Sequence, residues 1–402
     1  MDYIEHGTKE YRRVNLALFF GAFVTFANLY AVQPLLPRFV TTFHIGPATA
    51  SLTMSLATIT MAVGQLIAGS LSEAWGRRPI MLASLILVSA SSLASALTTD
   101  FTWFLVFRAI QGFVLAGLPA AAMAYLGEEI HPKHLGRAMG LYISGNSVGG
   151  MAGRIIAGLM AGISWRYSIL TIGLIGVLIT LWSWWNIPES RHFRPQPLRV
   201  GLLTRTLVSH FRDPALIVLF AMGFLLMGGF VTFYNYMPFR LEGAPYRLSP
   251  SLIAWLFLLY IVGTYSSSWM GKLADKYGRR RILWLAVCIY AAGTFVTLWT
   301  PLVGQILGIG LLTFGFFGAH ALASSWVGRR AQRDRAQASS LYLFFYYMGS
   351  SVGGTIGGLF FTSSGWLGVI CFVGIFILLG FIGTLLLSRI PNVQQKVQQN
   401  ES

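Results

Sequence analysis

Twelve mostly apolar stretches of about twenty residues or more follow one another along this chain. They run at roughly 14–37, 48–74, 79–98, 102–126, 136–161 and 166–186, then at 214–240, 249–274, 281–300, 303–328, 335–362 and 366–388. A helix needs about 20 residues to cross a bilayer's hydrocarbon. Backbone polar groups in lipid must be satisfied within the segment, so apolar runs of this length can only be helices. The chain is therefore expected to be an all-α polytopic membrane protein. Its composition agrees, with 55% hydrophobic and 10% charged residues where soluble domains carry about 25% charged. The first thirteen residues mix acid and base, and the apolar run after them is too long for a removable signal peptide, so the first span itself targets the chain. Cys288 and Cys371 lie far apart inside apolar runs, which gives neither a disulfide framework nor a metal-ligand spacing.

The stretch Gly271-Lys-Leu-Ala-Asp-Lys-Tyr-Gly-Arg-Arg-Arg281 has a weaker echo in Gly69-Ser-Leu-Ser-Glu-Ala-Trp-Gly-Arg-Arg78. Gly69, Gly76 and Arg77 each precede Gly271, Gly278 and Arg279 by 202 positions, the signature of an internal duplication. Glu73 and Asp275 occupy the same place in the two copies. The proposed division is an N-terminal segment 1–13, a six-helix bundle 14–186, a linker 187–213, a second bundle 214–389 and a tail 390–402. Within the linker Val200, Leu203, Leu207 and Phe211 recur at helical spacing while Arg199, Arg205 and Arg212 fall elsewhere. That pattern suggests a short helix on an anionic membrane surface.

The net charge of +16 is explained by topology. With the N-terminus inside, Arg38, Arg166, Arg240 and Arg247 face out, Arg108 and Arg154 are in the bilayer, and 23 of the 29 Lys and Arg are cytoplasmic. The positive-inside rule then puts both termini in the cytoplasm of a cell membrane protein. Lipid contact accounts for the loop arginines, and nucleic acid is not implied.

The doubled loop resembles the cytoplasmic loop signature of the major facilitator superfamily, and the likeness extends over about residues 14–389. The resemblance implies two six-helix bundles related by a pseudo-twofold axis along the membrane normal. It also implies a gating role for Gly69, Glu73, Gly76, Arg77 and Arg78 and for Gly271, Asp275, Gly278, Arg279 and Arg280. In that family a partner acid at the inner end of the fourth helix pairs with the loop arginine, a part open here to Glu128 or Glu129. The second half offers only Asp334 in the comparable loop. Leu105 to Gly117, with Arg108 and Gln111, resembles the family's fourth-helix signature, whose arginine is associated with proton coupling; the other reading is a packing arginine bonded to carbonyls of its own half. Gly149 to Gly158 resembles the glycine-rich signature of antiporter branches, with Arg154 in place of proline and Ala157 in place of glycine. Glycines four apart let helices approach closely, and Ser351 to Gly358 repeats the pattern.

Charges inside a bilayer are functional candidates by default. Arg108 and Arg154 are the two here, and no Asp or Glu falls in the interior of any span. A lumen with that balance favours anionic substrates. It also removes the usual carboxylate proton carrier, leaving His320, which otherwise is a hydrogen-bonded packing residue. Other polar candidates are Asn28, Tyr30, Gln33, Asn146, Tyr234, Asn235 and Tyr346. Gly145-Asn-Ser-Val-Gly149 and Gly349-Ser-Ser-Val-Gly353 match the serine-hydrolase pattern but sit inside long apolar runs, and that motif needs a strand, a turn and a helix. No ATPase-type phosphate loop or metal-binding histidine pair is present, so neither an enzyme nor a cofactor is expected. The chain looks most like the drug- and sugar-efflux branch. The expectation is a monomeric secondary transporter working by alternating access, driven by protons or another gradient ion. It would export a small organic molecule bound near the midplane among Asn28, Arg108, Asn146, Arg154, Asn235 and His320. The alternatives are uptake or exchange of an organic anion through Arg108 and Arg154, and a lipid-handling or sensor protein.

Overall fold

A computed structural model describes residues 3–195, 207–331 and 334–390. The first half contains α1 Lys9–Tyr30, α2 Leu36–Phe43, α3 Pro47–Trp75, α4 Arg77–Leu97, α5 Phe101–Leu115, α6 Gly117–Glu129, α7 Pro132–Ala161 and α8 Trp165–Asn186. The second contains α9 Pro214–Glu242, α10 Pro250–Trp255, α11 Tyr260–Tyr277, α12 Arg279–Val296, α13 Leu302–Arg330 and α14 Arg335–Arg389. Among the described residues nine helical stretches are long and apolar enough to span a membrane. The 55-residue α14 is two helices joined at a kink, where Ser364 and Gly365 leave helical geometry. Two more expected spans fall outside that apolar set: α7 is rich in glycine and polar residues, and α12 opens with three arginines. With these the twelve expected helices are all present.

Local sequence explains the breaks. Pro34 and Pro37 have no N–H to donate, so the first span stops at Tyr30, turns through a short 3-10 segment at Gln33–Leu35, and resumes as α2. The fourth span bends at Ala116, just before Pro119. Ser84 fills that bend, donating to the Val114 carbonyl at 2.6 Å and accepting from the Leu118 N–H at 3.2 Å. Thr8 and Asp100 cap α1 and α5 by accepting the Tyr11 and Trp103 N–H groups.

The hairpins α3–α4 and α11–α12 are each a single glycine long. Gly76 has φ of 102° and Gly278 of 91°, a region that side-chain-bearing residues rarely enter. Each closes the helix before it, donating to the Ser72 and Ala274 carbonyls at 3.1 and 3.0 Å. This is why glycine stands at both positions of the duplicated motif.

The described chain forms two compact units: Met1–Leu198 with Met237–Phe257, and Arg199–Tyr236 with Leu258–Ser402. The end of α9 and the whole of α10 thus pack with the first unit, where Glu242 lies 3.5 Å from Arg38. In the first unit Gly145, Gly149 and Gly153 of α7 press against the backbone of α1 at Phe19, Phe23 and Ala27. In the second, Gly349, Gly353 and Gly357 of α14 press against α9 at Phe224, Gly228 and Thr232. A Cβ at any of these six would meet α1 or α9 closer than real Cβ contacts allow, so the duplicated glycine pattern is a duplicated close helix crossing. Both serine-hydrolase look-alikes lie inside these crossings, with no strand or turn around them. Of the linker helix, Arg199, Val200, Leu203 and Arg205 lie outside the described residues; Leu207 is helical, and His210–Arg212 is a 3-10 turn.

Candidate functional site

In the first unit, α5 turns Arg108 inward to 2% exposure. Its Nε donates to the Thr53 carbonyl at 2.8 Å, Nη1 to the Asn28 carbonyl at 3.1 Å and Nη2 to the Leu29 carbonyl at 3.0 Å. The Asn28 and Leu29 carbonyls belong to the last turn of α1, which a helix end leaves without i+4 donors. Nη1 also reaches the Gln111 Oε1, and Gln111 in turn donates to the Asn28 Oδ1 at 3.1 Å. The space beside this knot, lined by Ser92, Ser95 and Ile169 among others, is too narrow for a water molecule. Arg108 thus ties the broken end of α1 to α3 and α5. Gln111, one turn from Arg108 on the same face, was not among the expected site residues; its i,i+3 spacing was the available signal.

Arg154 is a second knot, 1% exposed, on α7. Its Nε donates to the Gln33 Oε1 at 2.6 Å and its Nη1 to the Gly150 carbonyl at 2.7 Å. The guanidinium lies 4.0 Å from the centre of the Tyr30 ring and 5.5 Å from that of Phe257, cation–π geometry in a desolvated setting. Tyr30, Gln33 and Arg154 are therefore one cluster, and Asn28 with Arg108 another. Asn146 stands two turns before Arg154 on α7, half-buried, and its Oδ1 has no hydrogen-bond partner among the described residues.

The second unit holds the remaining candidates in an aromatic setting. His320 Nδ1 is 3.0 Å from the Tyr342 hydroxyl, and its ring lies 4.6 Å from that of Tyr346. The Tyr234 and Thr313 hydroxyls are hydrogen-bonded at 2.6 Å, and Asn235, next to Tyr234, is fully buried. Phe230 stacks on Phe316 with ring centres 3.7 Å apart. Thr313 and Tyr342 are additions that sequence reading passed over, although Thr313 is two turns from His320 on one face of α13.

At the hairpins, Arg77 pairs with Glu128 through Nη2 at 2.7 Å and Nε at 3.2 Å, and Nη1 donates to the Ser72 Oγ at 2.7 Å. Glu128 is thus the partner acid. Glu129 instead accepts from the Ser190 hydroxyl at 2.5 Å and the His192 N–H at 2.9 Å. Arg78 donates to the Ile187 and Trp184 carbonyls at the end of α8. Arg280 does the same to Ser388 and Ile390 at the end of α14. Arg279 sits 3.8 Å from Asp275 and donates to Ser325 at 3.2 Å, and Arg329 approaches Asp275 at 3.6 Å. Asp334 makes no cap hydrogen bond at the start of α14. The close acid–arginine pair of this half is Asp213 with Arg330, at 2.6 Å. Glu73 is exposed, with no bond to its carboxylate among the described residues, and a Cβ at Gly69 or Gly271 would meet nothing within 4 Å.

Comparison with known proteins fits this architecture. The sequence profile of the Major Facilitator Superfamily matches residues 18–331 and 242–402. The uncharacterized MFS-type transporter YybF of Bacillus subtilis is 51% identical over 371 residues, covering 92% of each chain. The inner membrane transport protein YnfM of Escherichia coli is 43% identical over 390 residues, 96% of this chain and 94% of that one. Among solved structures, the bacterial homolog of the human lysosomal transporter Spinster, in its inward-facing and unoccupied conformation, aligns with a TM-score of 0.80 at 16% identity. That alignment covers 95% of this chain and 98% of the other. With twelve helices, a doubled glycine-arginine hairpin and relatives of this closeness, the chain is a multi-pass membrane transporter, not an enzyme, and belongs to the major facilitator superfamily.

Proposed function

We propose that this transporter moves a small organic solute bearing a carboxylate or another anionic group, by alternating access, with Arg154 holding the charge. The observation that supports the reading is a guanidinium only 1% exposed inside a membrane span, hydrogen-bonded to the Gln33 Oε1 and the Gly150 carbonyl and set against the Tyr30 ring. A positive charge in a low-dielectric setting is costly, and the span interiors supply no Asp or Glu. Opposite charges attract strongly in such a setting, which favours an anionic solute. Arg108 is assigned a strut's role, because its donors are spent on carbonyls of α1 and α3. The transporter sits in the inner membrane with both termini in the cytoplasm, a reading the arginine distribution supports; labelling of single introduced cysteines in intact cells checks it.

The test is the thermal midpoint of the detergent-purified protein against organic anions, sugars and lipophilic cations, repeated with Arg154→Gln. Ligand at a hundred times its Kd stabilises by about 2.7 kcal/mol. Anions should raise the midpoint of the parent and not of the variant. Equal shifts in both, or a response confined to cations, would overturn the reading.

A second reading, proton-linked efflux, is supported by His320, whose ring lies among Tyr342, Tyr346 and Phe316. Imidazole is the side chain whose ordinary titration falls near neutral pH. Flux in proteoliposomes under an imposed pH gradient, with His320→Gln as control, decides it: a gradient response that survives the substitution removes His320 as carrier.

A further inference from the structure

The duplication places an equivalent groove in each half, and the two have opposite chemistry. In the first unit it lies between the start of α1 and the start of α7 and includes His6, Lys9, Arg12, Asn15, Arg137 and Leu141. In the second it lies between α9 and the two limbs of α14 and includes Phe211, Phe220, Met222, Phe345, Gly383 and Leu386. The helix crossings give the register: Phe19 and Gly145 of the first match Phe224 and Gly349 of the second. By the same offsets His6 corresponds to Phe211, Asn15 to Phe220 and Leu141 to Phe345. One fold position is thus basic and polar in one half and wholly apolar in the other.

The apolar groove has a volume of about 480 Å3, and every residue lining it is Phe, Ile, Val, Ala, Met, Leu or Gly. Its walls are pre-formed. Phe220 and Phe345 stack with ring centres 5.8 Å apart, and Phe211 meets both rings at 5.9 and 6.1 Å. At Gly383 a Cβ would come within 2.7 Å of the Met222 Sδ, so glycine there lets the second limb of α14 close the floor.

One end of the groove is cationic. Arg212 follows Phe211 directly, and Arg389 lies one turn beyond Leu386 on the same helix face. Both are exposed, and neither guanidinium has an ion pair or hydrogen bond among the described residues. Arg280 joins them at the end of α14 through the Ser388 and Ile390 carbonyls. The one acid nearby, Asp213, is already paired with Arg330 at 2.6 and 3.1 Å. An apolar slot within a membrane-spanning bundle, with Arg212 just before the first of its helices and Arg389 at the end of the last, matches one ligand chemistry in shape and charge. We infer that this groove is a binding site for an anionic phospholipid of the surrounding membrane, with one acyl chain between Phe220, Phe345 and Leu386 and the phosphate at Arg212 and Arg389.

The experiment uses full-length protein stripped of lipid in detergent. Phosphatidylglycerol, phosphatidylcholine and glycerol phosphate are added separately, with thermal midpoint and native mass spectrometry as readouts. Phosphatidylglycerol should stabilise most and remain bound at one per chain. Arg212→Gln with Arg389→Gln, both on the surface, should weaken phosphatidylglycerol by roughly thirtyfold and leave phosphatidylcholine unchanged. Ala221→Trp, which fills the slot, should weaken both lipids. Equal response to the two lipids in the parent, an unchanged phosphatidylglycerol affinity in the arginine variant, or equal stabilisation by glycerol phosphate without its chains would each overturn the inference. If Ala221→Trp does not fold, the arginine pair and the glycerol phosphate arm still decide.

Discussion

At Arg77 the guanidinium is buried and its Nη2 meets a 29% exposed Glu128 at 2.7 Å; at Arg279, 202 positions on, the nearest acid is Asp275, 63% exposed and 3.8 Å away. The backbone of the two hairpins is the same, with one positive-φ glycine each, and so is the role of the next residue. Arg78 and Arg280 both satisfy carbonyls at the end of the sixth helix of their half. What differs is the end of the fourth helix. The fourth helix of the first half ends in Glu128-Glu129 and that of the second in Arg329-Arg330, so Arg279 meets no acid there and Arg330 turns to Asp213. Backbone geometry survived divergence in these copies where ion pairing did not. A hairpin needs one special conformation, whereas a charge can be satisfied by any carboxylate within reach.

The largest effects should come from breaking the two close pairs. Glu128→Ala leaves a buried guanidinium without its acid and should cost about 3 kcal/mol, and Asp213→Ala should cost a similar amount by taking the carboxylate from the buried Arg330. Asp275→Ala removes only solvent-exposed pairs and should cost under about 1 kcal/mol. Thermal unfolding in detergent measures all three. A loss at Asp275 equal to that at Glu128 would mean the halves are latched alike and the comparison fails. Next come the glycines. Gly76→Ala and Gly278→Ala each force a side chain into a φ near +100°, for about 2 kcal/mol, and the two losses should be equal because the geometry is. A smaller, equally symmetric loss of about 1 kcal/mol is expected for Arg78→Gln and Arg280→Gln, each of which strands carbonyls at a helix end. Unequal losses there would show that the shared backbone hides a difference in packing.

Much of this was legible in the residues because it is periodic or repeated. The spans follow from length and apolarity, the two hairpin glycines from their common offset, and the α1–α7 and α9–α14 crossings from glycines four apart. Arg108 is a different matter. Its acceptors include the Thr53 carbonyl inside α3 and the Asn28 and Leu29 carbonyls at the end of α1, and which backbone carbonyls a buried arginine reaches leaves no mark in sequence. The Asp213–Arg330 pair was hidden for another reason. Its members lie 117 residues apart, and the comparable loop of the second half offered only Asp334, while its fourth helix ends in arginines. Equivalence between repeats locates a position without fixing its charge.

Glu73 gives the smallest effect on stability and the most direct test of what the hairpins do. It is exposed and its carboxylate makes no bond among the described residues, so Glu73→Ala should change the unfolding midpoint by no more than an exposed substitution does, within about 0.5 kcal/mol. Asp275 differs in having Arg279 and Arg329 within 4 Å. If these acids act on a helix end only in another conformation of the transport cycle, Glu73→Ala should slow substrate flux in proteoliposomes while insertion and stability stay at the parent's level. Asp275→Ala should slow it as well, with a small loss of stability. Undiminished flux in Glu73→Ala would leave that hairpin a structural turn with a solvated acid, and would confine any gating charge in the first half to Arg77 and Glu128.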